Sequence, residues 1–441
     1  MLRVENAELV WTGARELAGA TVALADGVVA GVGADAGREP ADERLDAAGC
    51  VVVPGLVNAH HHLLQSAFRT LPGTRGVPMS EWLGVMAAAY RARRVDPELG
   101  CLAARVGLAE ALLAGVTTVA DHHLTWPPGV DPVALAAASV AAADELGARL
   151  VFVRGTAGDD PDPAAASVEA MVPALLGSAG GGAGLRPDGM VQLAVGPAGV
   201  HSDRRETFAA LAEVAARHGL RRRTQANEQV DVERAAERYG RRPLDLLDEW
   251  GWLAPDVTLA HLCEITPGER HRLVGAGVTA THAPGCDLPL GWGVAEVGAL
   301  LDAGVVVGLG TSGGGSNDAG HLLADARLAL QVAPLTGRGL TAREVLTLAT
   351  AGSAAGLGRP ELGSLEPGAA ADLCCYDVTG VADAGVADPL AGLVWAAPGR
   401  RPRHVVVAGR VVVRDGELVT GDERAIAAEL TAELRTRHGG A

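Results

Sequence analysis

The chain has 441 residues, 48% of them hydrophobic and 20% charged, enough for one large α/β barrel with an accessory domain or for two or three ordinary domains. A formal charge of −16 repels phosphates and argues against nucleic acid or an anionic membrane surface as partner, and no apolar run reaches membrane-spanning length. All 37 basic residues are arginine, which excludes Schiff-base catalysis, a Walker-A phosphate loop and a carbamylated-lysine metal bridge, since each needs an ammonium side chain.

The opening Met1-Leu2-Arg3-Val4-Glu5 has no signal-peptide core and the six cysteines form no CxxC pair, so a cytoplasmic protein with reduced thiols is expected. Residues 1–50 read as strands and turns, with β-branched runs at 21–24 and 28–32 flanking Asp26-Gly27, a hairpin signal. Short apolar runs then recur at 51–57, 116–121, 149–155, 191–196, 220–225, 257–261, 278–282 and 305–310. Each closes on a polar residue or glycine, as strands buried on both faces do. Between them, 97–114, 131–147, 206–218, 243–250, 267–275 and 294–304 have helical character, several with Asp, Ser or Thr near the start and Gly at the stop. Residues 158–189, with Asp-Asp-Pro-Asp-Pro and the glycines 180–182, read as an insertion after the third strand, partly disordered or a lid. Strand-and-turn text returns at 371–376, 404–408 and 410–414, the last followed by Asp415-Gly416, and a terminal helix opens at Glu423.

Strand alternating with helix eight times is the rhythm of a (β/α)8 TIM barrel. The expected fold is α/β. It comprises a barrel over 51–361, a small composite β-sandwich from 1–50 and 362–420, and a C-terminal helix or tail over 421–441.

Function in such a barrel sits where strands end and loops begin. The first strand runs into Pro54-Gly55-Leu56-Val57-Asn58-Ala59-His60-His61-His62. Alternate side chains of an extended chain share a face, so His60 and His62 converge while His61 points away. Two neutral imidazoles on one face are half of a zinc-type site. The sixth and seventh strands end in His261 and His282, the second in Asp121-His122-His123, and Glu228 lies three residues past the fifth. A lone histidine is more often a hydrogen-bonded core residue than a ligand, and His201, His218, His271, His321, His404 and His438 are read that way. Separate strand ends delivering imidazoles to one rim set His60, His62, His261 and His282 apart.

The 54–62 motif with Gln65 resembles the first metal motif of the amidohydrolase superfamily, in the branch of cytosine, guanine and 8-oxoguanine deaminases and triazine hydrolases. Ala260-His261, Thr281-His282-Ala283-Pro284, Gly308-Leu309-Gly310 with Ser316-Asn317-Asp318, and the closing segment 363–373 extend the resemblance over nearly the whole chain, with the 8-oxoguanine deaminase group nearest. The resemblance implies one Zn or Fe ion held by the paired histidines, a histidine ending strand five and an aspartate ending strand eight. It further implies a glutamate that shuttles a proton and histidines of strands six and seven that orient water and ring. On this chain it assigns His60 and His62 to the metal and Glu228, His261 and His282 to catalysis.

Two departures stand out. Strand five reads Arg223-Thr224-Gln225 where the family has histidine, and strand eight reads Gly310-Thr311-Ser312-Gly313 where it has aspartate, so the third ligand falls to His261 or Gln225. Gln65, Trp82, Asp121, Arg223 and Ser312 are candidate substrate-binding residues, Arg223 being equally readable as half of an ion pair, and the glycines 313–315 read as a flexible loop. The expected function is hydrolytic deamination of a small amino-substituted N-heterocycle, with one divalent metal (Zn or Fe) if the site is loaded and no cofactor otherwise. The alternatives are a metal-independent lyase, isomerase or tautomerase that uses Glu228 and the retained histidines on a nitrogen-rich small molecule, and a non-catalytic homologue. The partner is a small molecule, and a homodimer is the assembly common among such enzymes.

Overall fold

In the computed structural model, which describes residues 1–38, 40–177 and 184–438, eight strands pair side by side in chain order. They are β1 (Leu56–His62), β2 (Val116–His123), β3 (Arg149–Thr156), β4 (Val191–Pro197), β5 (Arg221–Ala226), β6 (Val257–His261), β7 (Thr279–His282) and β8 (Val307–Leu309). Every pairing is parallel. Just past β8, the two-residue strand Ser312–Gly313 pairs with β1 at His61 and His62, which closes the ring. Strands buried on both faces need uninterrupted apolar or hydrogen-bonded text, and every residue of β1, β2, β3 and β4 is buried.

Helices follow the strands and cover the ring. Asp96 and Asp131 cap Pro97–Leu113 and Pro132–Leu146 by accepting from the N–H groups of Leu99 and Val133, each at 2.9 Å, with proline in the first turn. Thr266 and Glu269 form a capping box on Pro267–Ala276, and Gly277 at φ +68° ends that helix in the left-handed region. The apolar layer between ring and helices includes Leu112, Leu146, Phe152, Phe208, Trp252 and Leu273, each such burial contributing about 1.5–3 kcal/mol.

The terminal segments build two further sheets. One orders Val28–Gly33, Thr21–Ala25, Leu2–Glu5 and Glu43–Asp46; the other joins N-terminal strands Cys50–Pro54, Leu9–Trp11 and Glu16–Ala18 to the C-terminal Leu373–Asp377, His404–Val407, Arg410–Arg414 and Glu417–Leu418. Val4, Val22 and Leu45 of the first share an apolar cluster with Val52, Leu373 and Val406 of the second. Both Asp-Gly hairpins have positive φ at both central residues, 51° and 78° at Asp26-Gly27 and 52° and 79° at Asp415-Gly416, as the turn that matches strand twist requires.

Two expectations are corrected. The run 51–57 is not one strand: Cys50–Pro54 pairs antiparallel with Leu373–Asp377, and the barrel strand starts at Leu56. Gly55 marks the break, because a Cβ there would lie 2.3 Å from Thr117 Oγ1. The described residues of the stretch 158–189 are not a lid inserted after the third strand. The stretch holds the helix Pro161–Leu176, whose Ala164, Val168, Met171 and Leu175 are buried at helical spacing. Its Asp-Pro start, read as loop text, is the first turn of that helix, and the glycines 180–182 lie outside the described residues. No helix among the described residues is long and apolar enough to cross a membrane.

Candidate active site

The carboxyl ends of the strands bring four imidazoles together. His60 and His62 alternate along β1 with ring centroids 4.9 Å apart, and the His261 ring lies 5.2 Å and the His122 ring 5.7 Å from that of His60. His61 points elsewhere, its Nδ1 at 2.9 Å from Thr311 Oγ1. His62 Nδ1 donates to the His122 carbonyl at 2.6 Å and His122 Nε2 donates to the Gly196 carbonyl at 2.8 Å, so each ring keeps its other nitrogen as an acceptor. Burial holds all three neutral: His60 falls well below its ordinary value, His62 to about 4 and His122 to about 3.

Glu228 occupies the N-cap position of Gln229–Tyr239 and is fully buried. Neither of its oxygens has a hydrogen-bond partner among the described residues, and burial pushes its carboxyl up to about 7. His261 bridges two carboxylates. Its Nδ1 lies 2.6 Å from Asp287 Oδ1 and its Nε2 lies 3.4 Å from Glu228 Oε1. His261, Leu262 and Ser312 all carry positive φ (74°, 57° and 53°) at this rim. Non-glycine residues there cost on the order of 1–3 kcal/mol each, and such strain clusters at functional sites. His282 ends β7 buried, its Nδ1 unpartnered among the described residues and burial lowering it to about 4.

His60 Nε2, His261 Nε2 and both Glu228 oxygens are therefore buried polar atoms with no hydrogen-bond partner among the described residues. Native proteins leave few such groups, and a place for a bound ion is one of the reasons they do. Neutral imidazoles with a carboxylate are the donor chemistry that zinc or ferrous iron takes, so these residues fit a divalent ion.

Above them opens a cavity of about 750 Å³, with His62, Asp121, His122, Gln225 and Ser312 among its polar lining and Trp82, Met86, Tyr90, Trp126 and Trp292 among its walls. Asp121 accepts from the Leu63 N–H at 2.9 Å, while its second oxygen has no partner among the described residues and burial raises it to about 7. Gln65 and Trp82 line the cavity and grip Gly315 from both sides, its N–H donating to Gln65 Oε1 at 3.0 Å and Trp82 Nε1 donating to its carbonyl at 3.1 Å. The glycine segment is consequently pinned rather than flexible: a Cβ on Gly313 would lie 2.1 Å from Gln65 Oε1, and one on Gly315 would lie 2.5 Å from Met86 Cε. Arg223 does not line the cavity and has no carboxylate partner among the described residues. It lies buried within the barrel, donates to the Ala59 carbonyl, and is lowered to about 9 by burial. Neither sequence reading of Arg223, substrate anchor or ion pair, describes that position.

Sequence reasoning missed Asp287, His122 and His201. His201, read as an ordinary core histidine, lines the cavity with its Nδ1 at 3.3 Å from Asp231 Oδ1. His122 sits in the quoted Asp121-His122-His123, and its place as the seventh of eight strand residues was the available signal. Asp287, on the one-turn helix Pro284–Asp287, had no spacing signal at all.

A closed parallel barrel whose strand ends gather imidazoles round a buried carboxyl group is the architecture of the amidohydrolase family, to which this chain belongs: it matches that family over residues 51–412. Among its relatives, the 8-oxoguanine deaminase of Pseudomonas aeruginosa is 36% identical over 400 residues, covering 86% of this chain and 87% of that one. The 5-methylthioadenosine/S-adenosylhomocysteine deaminase of Halobacterium salinarum is 34% identical over 412 residues, with 91% of each chain covered. Among solved structures, atrazine chlorohydrolase TrzN from Arthrobacter aurescens TC1, complexed with zinc, superposes with a TM-score of 0.92 at 35% identity, covering 98% of this chain and 100% of that one.

Proposed function

We propose that the protein hydrolyses the C–N bond of a small amino-substituted N-heterocycle and releases the amino group as ammonia. It is an amidohydrolase-type enzyme, and the observation that carries the reading is the convergence of His60, His261 and Glu228, with their unpartnered donor atoms, at the carboxyl ends of the strands. His60, His62 and His261 would hold one zinc or iron ion, with Glu228 or the Gln225 amide oxygen beside them. When bound, such an ion lowers the pKa of a water to near 7 and polarises the carbon under attack.

The chain's own groups supply the rest. Hydrolysis puts the water oxygen on the ring carbon and expels the nitrogen. Glu228 takes a proton from the water and returns it to the departing amine, and a carboxyl group raised to about 7 by burial serves in both directions. His282 orients the ring. Trp82, Trp126 and Trp292 line the cavity and offer a planar heterocycle aromatic surface to pack against. Asp121 and Ser312 offer its polar edge a carboxyl and a hydroxyl. Gln65 Oε1 and Trp82 Nε1 are engaged by Gly315, so these two residues shape the wall. The same donor cluster favours this reading over a metal-independent acid/base enzyme or a non-catalytic homologue.

The six free cysteines support a cytoplasmic setting. The apolar cluster shared by the two terminal sheets supports a composite β-sandwich of 1–50 and 362–420 beside a barrel of 51–361 and a tail of 421–441.

Metal analysis of protein purified without chelator should find about one equivalent of zinc or iron, the complement of a mononuclear catalytic site. Ammonia release should follow on a panel of aminopurines, aminopyrimidines, aminopterins and amino-triazines, and Glu228→Gln should abolish it. Metal-free protein that releases no ammonia from any of them, or a fully active Glu228→Gln, would overturn the reading.

A further inference from the structure

Of the donors proposed for the ion, His60 and His62 are held neutral by burial, and Arg223, a cation buried within the barrel, has no carboxylate beside it among the described residues. A dication brought into such a site needs compensating anions held in place. Glu228 is one. Asp287 is fully buried on the turn after β7, with Oδ1 at 2.6 Å from His261 Nδ1 and Oδ2 without a hydrogen-bond partner among the described residues. A carboxylate bonded to one imidazole nitrogen fixes the tautomer, aims the ring and strengthens the other nitrogen as a donor. The other nitrogen here is His261 Nε2, which faces Glu228 at 3.4 Å. We infer that Asp287 is a positioning residue: acting through His261, it supplies the second negative charge of the site and sets the strength of His261 as a ligand. Its Oδ1 is engaged by His261 Nδ1, so its effect is on the ion and the reaction, through that ring.

This inference rests on the proposed metal-dependent reading. Its test compares parent, Asp287→Asn and Asp287→Glu as purified proteins of equal thermal stability and circular dichroism. Asn keeps the shape and an acceptor for His261 Nδ1–H but removes the charge. Competition with a chromogenic chelator should show zinc held about 10- to 100-fold more weakly by Asp287→Asn. Its kcat should fall by a similar factor at unchanged KM, and Asp287→Glu should recover part of both. Chelator competition and kcat equal to the parent's in Asp287→Asn would overturn the inference while leaving the metal-dependent reading intact. A parent that binds no divalent ion overturns both. His261, Cys286 and Asp287 also lie close enough together to ligate an ion directly. A thiolate-to-metal charge-transfer band in the cobalt-substituted parent would place the ion on Cys286 and overturn the positioning role.

Discussion

Burying a carboxyl group penalises its ionised form, and Asp325 shows the consequence away from the proposed chemistry. It accepts from the Gly285 N–H at 2.9 Å and from Asn317 Nδ2 at 3.1 Å, yet burial outweighs these bonds and raises it from 3.8 to about 7. An acid whose folded pKa is raised keeps its proton in the native state after the unfolded chain has lost it. The folded state is then favoured at low pH, and its advantage falls as pH rises from about 4 to about 7. That interval corresponds to on the order of 4 kcal/mol. Asp325→Asn removes the titration. The variant's unfolding free energy minus that of the parent, from urea titrations, should therefore climb across that pH range and level off above it. A difference independent of pH would mean that Asp325 ionises normally in the folded protein.

At the scale of elements, barrel closure depends on Gly310, at the bend between β8 and Ser312–Gly313. A Cβ there would lie 2.8 Å from the carbonyl oxygen and 2.9 Å from the nitrogen of His60, backbone atoms of β1 that cannot swing aside. Gly310→Ala should cost about 1–3 kcal/mol through overpacking and should lower the zinc bound per folded molecule by displacing His60. Gly268, with nothing within 4 Å of its would-be Cβ, gives the control: Gly268→Ala should be neutral or stabilise by about 0.4–1 kcal/mol. Equal urea midpoints and metal contents in the two variants would contradict the tight crossing. The strands themselves were legible because their short apolar runs stop at a polar residue or glycine, so His261 and His282 could be read as the last residues of β6 and β7. The helix Pro161–Leu176 was illegible because its Asp-Pro start serves loops and helix N-termini alike. Asp287 was illegible for another reason: its partner lies 26 residues away on a different strand, and only the curvature of the barrel brings the two together.

Across the whole molecule, one buried pair ties the ring to the terminal sheets. Arg149, first residue of β3, donates from Nε to Asp372 Oδ2 at 2.8 Å and from Nη2 to Oδ1 at 3.0 Å, across 223 residues of sequence. Asp372 also accepts from the Ala408 N–H at 2.7 Å, while its own carbonyl receives the Gly55 N–H at 2.9 Å where the chain passes from terminal sheet to barrel. The pair is bidentate and nearly inaccessible, with side-chain exposures of 5% and 2%. Removing one partner strands the other charge in a medium that cannot solvate it, at about 3–5 kcal/mol, whereas an apolar pair of similar volume is often neutral. Asp372→Ala should accordingly lower the urea midpoint sharply, and Arg149→Met with Asp372→Leu should recover much of the loss. Because the pair sits at the junction, hydrogen exchange in Asp372→Ala should quicken both in His404–Val407 and in β4. Faster exchange in His404–Val407 with β4 unchanged would show that the terminal sheets open by themselves and that the Arg149–Asp372 contact does not couple them to the barrel.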